Sequence, residues 1–179
     1  MSGSLVLHRG GWGATKADLA SVPVPDPTAS YHPVPYNRFV EEVELHVPRF
    51  GLTIRSEQFA LAREGNQVFG VLTCTNGHNA GDYALAIGLR NSYDRSISVG
   101  LVAGTRVFCC DNLAFSGEAT VSRKHTAHVF RDLPDLIYRM LSHVAVLQPL
   151  EPDAARAHGA TFNGDAPGSR ALIVRGTPR

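Results

Sequence analysis

The hydrophobic period of the chain changes at Leu52. From there LTIRSEQFALA and QVFGVLTCT alternate apolar and polar residues, with REGN between them. Successive side chains on a strand point to opposite faces, so alternation over both segments with a short turn between predicts an antiparallel hairpin. A second pair follows. In DYALAIGLR, Tyr83, Leu85, Ile87 and Leu89 fall on one face; in SISVGLVAG, Ile97, Val99 and Leu101 do the same, and NSYDR joins them. The residues opposite, Ala84, Ala86, Gly88, Ser98 and Gly100, are small. A face of small residues predicts a second layer packed closely over it.

Helical spacing brackets these strands. In YNRFVEEVELHVPRFG, Phe39, Val40, Val43, Val47 and Phe50 recur near the helical period, with Pro48 to end the helix and Gly51 just beyond. In VFRDLPDLIYRMLSHVAVL, Val129, Leu133, Leu136, Ile137, Met140, Leu141 and Val144 define a second helix with Pro134 in its first turn. TRVFCCDNLAF reads as a buried strand leading into a glycine turn and EATVSRKHT. The fold class is therefore α+β, an antiparallel sheet of hairpins flanked by helices. Residues 1–31, with the alternating prolines of ASVPVPDPTASY, read as an extended N-terminal arm docked by Trp12. Residues 32–147 form a single domain, and 148–179, rich in Ala, Gly and Pro, a loosely ordered tail.

A chain of 179 residues, 44% hydrophobic and 18% charged, is long enough to bury a core. Lys plus Arg 17 against Asp plus Glu 16 leaves a formal charge of +1, so affinity for a polyanion has to come from a local patch. Three cysteines, two of them adjacent, fit a reducing cytoplasm better than a disulfide framework. No charged start with apolar run and cleavage site is seen, and no apolar stretch of spanning length, so the expectation is a soluble cytoplasmic protein without membrane partners.

Cys109, Cys110, His125 and His128 are the residues to weigh for a metal. Zinc sites use spaced pairs that converge from one turn, whereas adjacent cysteines on a strand point to opposite faces. No metal site is expected. A cysteine nucleophile would need a lowered pKa, a histidine and an orienting acid. Val107 and Phe108 before the pair and Leu113 and Phe115 after it favour burial, and Cys74 in VLTCT reads the same way. Neither phosphate-loop motif occurs, which argues against a nucleotide cofactor. Asp82, Asp94, Asp111 and Glu118 lie in or near turns, where Asp caps its own backbone. Asp111 and Asn112 follow a buried strand directly, a place where a site residue can sit, and so are less clearly turn formers than the others.

The basic residues are the remaining signal. Between Arg90 and Arg131 stand Arg90, Arg95, Arg106, Arg123, Lys124 and Arg131 against Asp94, Asp111 and Glu118, with His125 and His128 beside them. Cations at strand ends can grip a phosphate backbone while Tyr93 and Phe115 accept bases. The competing reading is a solvated surface with scattered ion pairs.

The run YALAIGLRNSYDRSISVGLVAGTRVFCCDNLAFSGEATVSRKHT resembles the phage- and plasmid-related family known as domain of unknown function 932. The likeness lies in G-x-R-N-S-x-D (Gly88, Arg90, Asn91, Ser92, Asp94), in G-x-R-V-x-x-x-D-N-L (Gly104, Arg106, Val107, Asp111, Asn112, Leu113) and in R-K-H-T (Arg123, Lys124, His125, Thr126). It spans roughly residues 31–144 and is strongest over 83–126. The order helix, hairpin, strands, helix is also similar to the core of phage single-strand annealing proteins, an analogy of element order alone. The annealing-protein analogy and the basic residues together lead to the expectation of a non-catalytic, oligomeric protein that binds single-stranded DNA in recombination. Arg90, Arg95, Arg106, Arg123, Lys124 and His125 would lie along the strand, with Tyr93 and Phe115 against its bases. The alternatives are a hydrolytic enzyme built on Asp111, His125 or Cys110, and a structural protein whose small-residue sheet face docks a partner.

Overall fold

The computed structural model describes residues 4–7, 10–75, 85–104, 107–110, 115–117 and 119–147. In chain order the elements are β1 (Ser4–Val6), β2 (Trp12–Ala14), α1 (Lys16–Ser21), α2 (Tyr36–His46) and a 3-10 turn (Val47–Phe50). There follow β3 (Thr53–Ala62), β4 (Gln67–Thr75), β5 (Leu85–Ser92), β6 (Val99–Gly104), β7 (Phe108–Cys110), β8 (Phe115–Ser116), β9 (Ala119–Arg123) and α3 (Val129–Leu147). Six strands form one antiparallel sheet in the order β2-β3-β4-β5-β6-β9, and β1-β7-β8 form a second, smaller sheet. This is the α+β architecture expected from the change of period at Leu52.

The hairpin β3–β4 turns through Arg63, Glu64 and Gly65, all with positive φ, and pairs Ala62 with Gln67 at its tip. Alternation then sorts the side chains. Phe59 and Leu61 of β3, Val68, Leu72 and Cys74 of β4, Leu85, Ile87 and Leu89 of β5, and Val99 and Leu101 of β6 join one core with the helices. Leu19 of α1, Tyr36, Phe39, Val40 and Val43 of α2, and Val129, Leu133, Ile137, Met140 and Leu141 of α3 supply its other half. Pro134 lies in the second turn of α3, one turn later than expected. It lacks the N–H that would reach the carbonyl of Phe130, and the apolar stripe carries the helix past it.

The opposite face of the sheet is covered as its small residues require. Ala62, Phe69, Val71, Ala86 and Val102 pack there against Val107 and Cys109, with Leu5 and Phe115 at the margin. A Cβ added to Gly88 would stand 2.6 Å from Val102 Cγ1 and 2.8 Å from Val107 Cγ1. Ile97 departs from the expected face: it precedes β6 in a bend and joins this second core. The strand period does not extend through a bend.

The N-terminal segment is bound into both sheets. β1 pairs with β7 in parallel, Leu5 opposite Cys109, while β2 pairs with β3, Gly13 opposite Ala60. Between them α1 starts with a capping box in which Thr15 and Asp18 bond each other's backbone N–H groups. The prolines keep residues 22–35 free of helix and strand. Trp12 does not dock the arm, because β2 is an edge strand that leaves it 44% exposed. Leu19, Tyr31 and Val34, all buried, anchor the segment instead. Among the described residues no helix is long and apolar enough to cross a membrane.

Candidate functional site

Asn91 sits on β5 with its side chain toward the helical face, where an amide must find partners or destabilise the strand. Its Nδ2 donates to the carbonyl of Val34 at 2.8 Å, and its Oδ1 accepts from Ser92 N at 2.7 Å. Those two bonds fix which end of the amide is oxygen. The His125 Nε2 that lies 2.7 Å from the same Oδ1 is therefore the protonated nitrogen, and Nδ1 carries the lone pair of the neutral ring. Burial lowers the pKa of His125 below its ordinary value, so the ring is neutral at pH 7.

The same residues tie down the arm. His32 N donates to the carbonyl of His125 at 3.0 Å, and Tyr31 Oη donates to the carbonyl of Tyr93 at 3.1 Å. Tyr36 N in turn donates to Tyr93 Oη at 3.1 Å. Three chain segments are thus held at one corner of the sheet: the end of the arm, the β5–β6 turn and the β9–α3 connection.

A cavity of about 380 Å³ opens between those segments, lined by Ser30 and Tyr31, by Arg95, Ile97 and Ser98, and by Lys124, His125 and Thr126. Among the described residues it holds two cations, three hydroxyls besides the tyrosine, a neutral imidazole and no carboxylate. Arg95 is held in the left-handed region at φ 62°, and its guanidinium lies 4.4 Å from the centre of the Tyr31 ring. A cation on an aromatic face is positioned without losing its charge or its hydrogen-bond donors. Burial raises the Tyr31 phenol above its ordinary pKa against the pull of Arg95. Such a constellation suits an anion with several acceptor oxygens.

Of the residues expected along a bound strand, the structure brings Arg95, Lys124 and His125 together and separates the others. Arg123 points to a different cavity, of about 390 Å³, with Arg131, Asp132, Asp135 and Arg139. There Arg123 pairs with Asp132, Arg131 Nε reaches Asp132 at 3.0 Å and Arg139 reaches Asp135 at 2.7 Å. Arg90 lies on the other face of the sheet, half-buried, with its guanidinium 4.4 Å from the Phe115 ring centre. Phe115 is occupied by that contact and by Gly88 and Gly100 beneath it. Tyr93, expected to stack on bases, is 5% exposed and already stacked on Tyr36, ring centres 3.9 Å apart and 6° from parallel. Its phenol is pushed up to about 12 by burial. Arg106, Asp111 and Asn112 lie outside the described residues.

Two of the three cysteines are placed as core residues, and the side chain of Cys110 lies outside the described part of the structure. Cys74 is fully buried and its thiol is pushed up to about 12 by burial. Cys109 is likewise buried, with its Sγ 3.7 Å from the carbonyl of Leu89. Among the described residues no three His, Cys, Asp or Glu gather where they could hold a metal. Two features of the cleft were missed in the sequence. In the sequence Tyr31 reads as the end of an arm and Asn91 as part of a motif, although an asparagine within an apolar strand is itself a signal that something must satisfy its amide. No protein-family model, curated protein or solved structure matches the chain.

Proposed function

We propose that the protein binds nucleic acid, single-stranded DNA foremost, without catalysing a reaction, through phosphate contacts at the cleft between Tyr31, Arg95 and Lys124. The observation that carries this reading is the cleft's charge: Arg95 and Lys124 share it with Ser30, Ser98 and Thr126, and among the described residues no acid lines it. The neighbouring cavity, with its two aspartates, has already neutralised most of its own charge. Phosphate oxygens accept from cations and hydroxyls alike, and these contacts position a strand without reading its sequence. The likeness to phage annealing proteins supports the same ligand and adds assembly of several copies on the strand.

The test is fluorescence anisotropy with a labelled single-stranded oligonucleotide across a salt series. Log affinity is expected to fall with log salt at a slope of about −0.7 for each phosphate engaged. Replacing Arg95 by Gly and Lys124 by Ala together should weaken binding and flatten the slope. No binding at low salt would overturn the reading. Light scattering with and without the oligonucleotide measures the assembly.

A further inference from the structure

The positive charge of the cleft stops at its rim. Beyond Arg95 stands Asp94, whose Oδ1 accepts from Ser96 N at 2.9 Å and whose Oδ2 lies 3.9 Å from Arg63 Nη1. Beyond Lys124 stands Arg123, held by Asp132, and past it the cations alternate with acids through Arg131, Asp135 and Arg139. Among the described residues, a strand leaving the cleft would meet Asp94 beside Arg95 and Asp132 beside Arg123, carboxylates that interrupt the field for neighbouring phosphates.

A phosphate diester carries one charge and has chain on both sides, whereas a monoester carries about −1.5 to −2 at pH 7 and offers three strong acceptor oxygens. The latter matches two cations, three hydroxyls and a closed field. The cleft is open to solvent, and its volume of about 380 Å³ lies at the small end of the range for ligand pockets, roughly 300–1,000 Å³. Ile97 and the Tyr31 ring add apolar wall for the attached sugar.

We propose that the cleft takes a phosphate monoester, the terminal phosphate of a nucleic-acid strand or of a mononucleotide, with Arg95 and Lys124 sharing its charge and Ser30, Ser98 and Thr126 donating to its oxygens. This rests on the reading of the cleft as a phosphate site and narrows it from a groove to an end. Arg95 keeps its guanidinium over Tyr31 and directs its N–H donors at the ligand; Lys124, from the β9–α3 connection, supplies the second charge.

The experiment compares one oligonucleotide sequence in three forms, with a 5′-phosphate, with a 3′-phosphate and with hydroxyls at both ends, and a deoxynucleoside 5′-monophosphate and inorganic phosphate as competitors, all against the full chain. One phosphorylated form should bind at least about tenfold tighter than the hydroxyl form, a difference that charge-assisted bonds to an added dianion readily supply. Lys124→Ala, at an exposed position, should erase that preference with the melting temperature unchanged, and Arg95→Gly should do the same. Equal binding of all three forms overturns the monoester site and leaves strand binding standing. A mononucleotide that competes as well as the phosphorylated strand supports the monoester site and removes the strand from the function. Failure of every ligand to bind overturns both.

Discussion

His125 Nε2 lies 2.7 Å from Asn91 Oδ1, and through that contact a connection on the cleft wall is held to the end of an inner strand of the sheet. Burial keeps the native ring from protonating, while in the unfolded chain it titrates near its ordinary value of about 6.5. Below that value the unfolded state binds a proton that the native state does not. The stability that follows is therefore complete above about pH 6.5, declines as the pH falls toward the lowered native pKa and levels off beneath it. Urea denaturation at pH 7.5 and pH 5 (about these values) should show this decline, and His125→Gln should flatten it. A slope that survives the substitution assigns the effect to other groups.

Arg95 occupies a left-handed backbone at φ 62°, a conformation that costs a side chain roughly 1–2 kcal/mol and glycine little. Arg95→Gly relieves that strain, gives up the contact with Tyr31 and adds unfolded-state freedom. These changes offset one another, so stability should stay within about 1 kcal/mol of the parent. Ligand binding should nevertheless fall. Thermal melts and anisotropy on the same preparation separate the two.

Lys124 and Arg123 are neighbours with different expected effects. Arg123 is bound to Asp132, so Arg123→Ala removes a cation already paired and should change affinity by less than about threefold, the order of an exposed ion pair. Lys124→Ala should lower the salt slope by about 0.7, the loss of one phosphate contact. Equal slopes for the two variants would contradict the geometry of the cleft.

Gly88→Ala should destabilise the domain by about 1–3 kcal/mol, the usual range for overpacking a filled core. Its Cβ would fall within 2.8 Å of methyl groups on both Val102 and Val107, and valine side chains cannot swing aside without leaving their rotamers. Guanidinium denaturation checks it. A loss of less than about half a kcal/mol would show that the small sheet yields easily.

The sheet and both long helices were legible because each has a sustained period: two over β3 to β6, and the helical period over α2 and α3. The small-residue face likewise announced its cover through Ala86, Gly88 and Gly100. Elements of three residues have no period to read, and β1 meets β7 across a separation that no local pattern encodes. The cleft was half legible for a related reason. Arg95, Lys124 and His125 stood out by charge, but charge does not say which arginines are already paired, and Arg123 was. Tyr93 and Tyr31 are chemically alike; only the fold decides that one stacks on Tyr36 and the other carries Arg95.

The pairing of Leu5 with Cys109 also fixes an order of events at the ribosome. The strand made earliest among the described ones has no partner until about a hundred residues more have been added, which at 5–20 residues per second is roughly 5–20 s. During that interval α1, α2 and the long hairpin β3–β4 can form, since the contacts within each are local. The small sheet must wait, and with it the cover over Gly88. Synthesis thus leaves one side of the nascent sheet bare for seconds, a window in which a chaperone or a neighbouring chain can reach Phe69 and Val71 before the small sheet covers them.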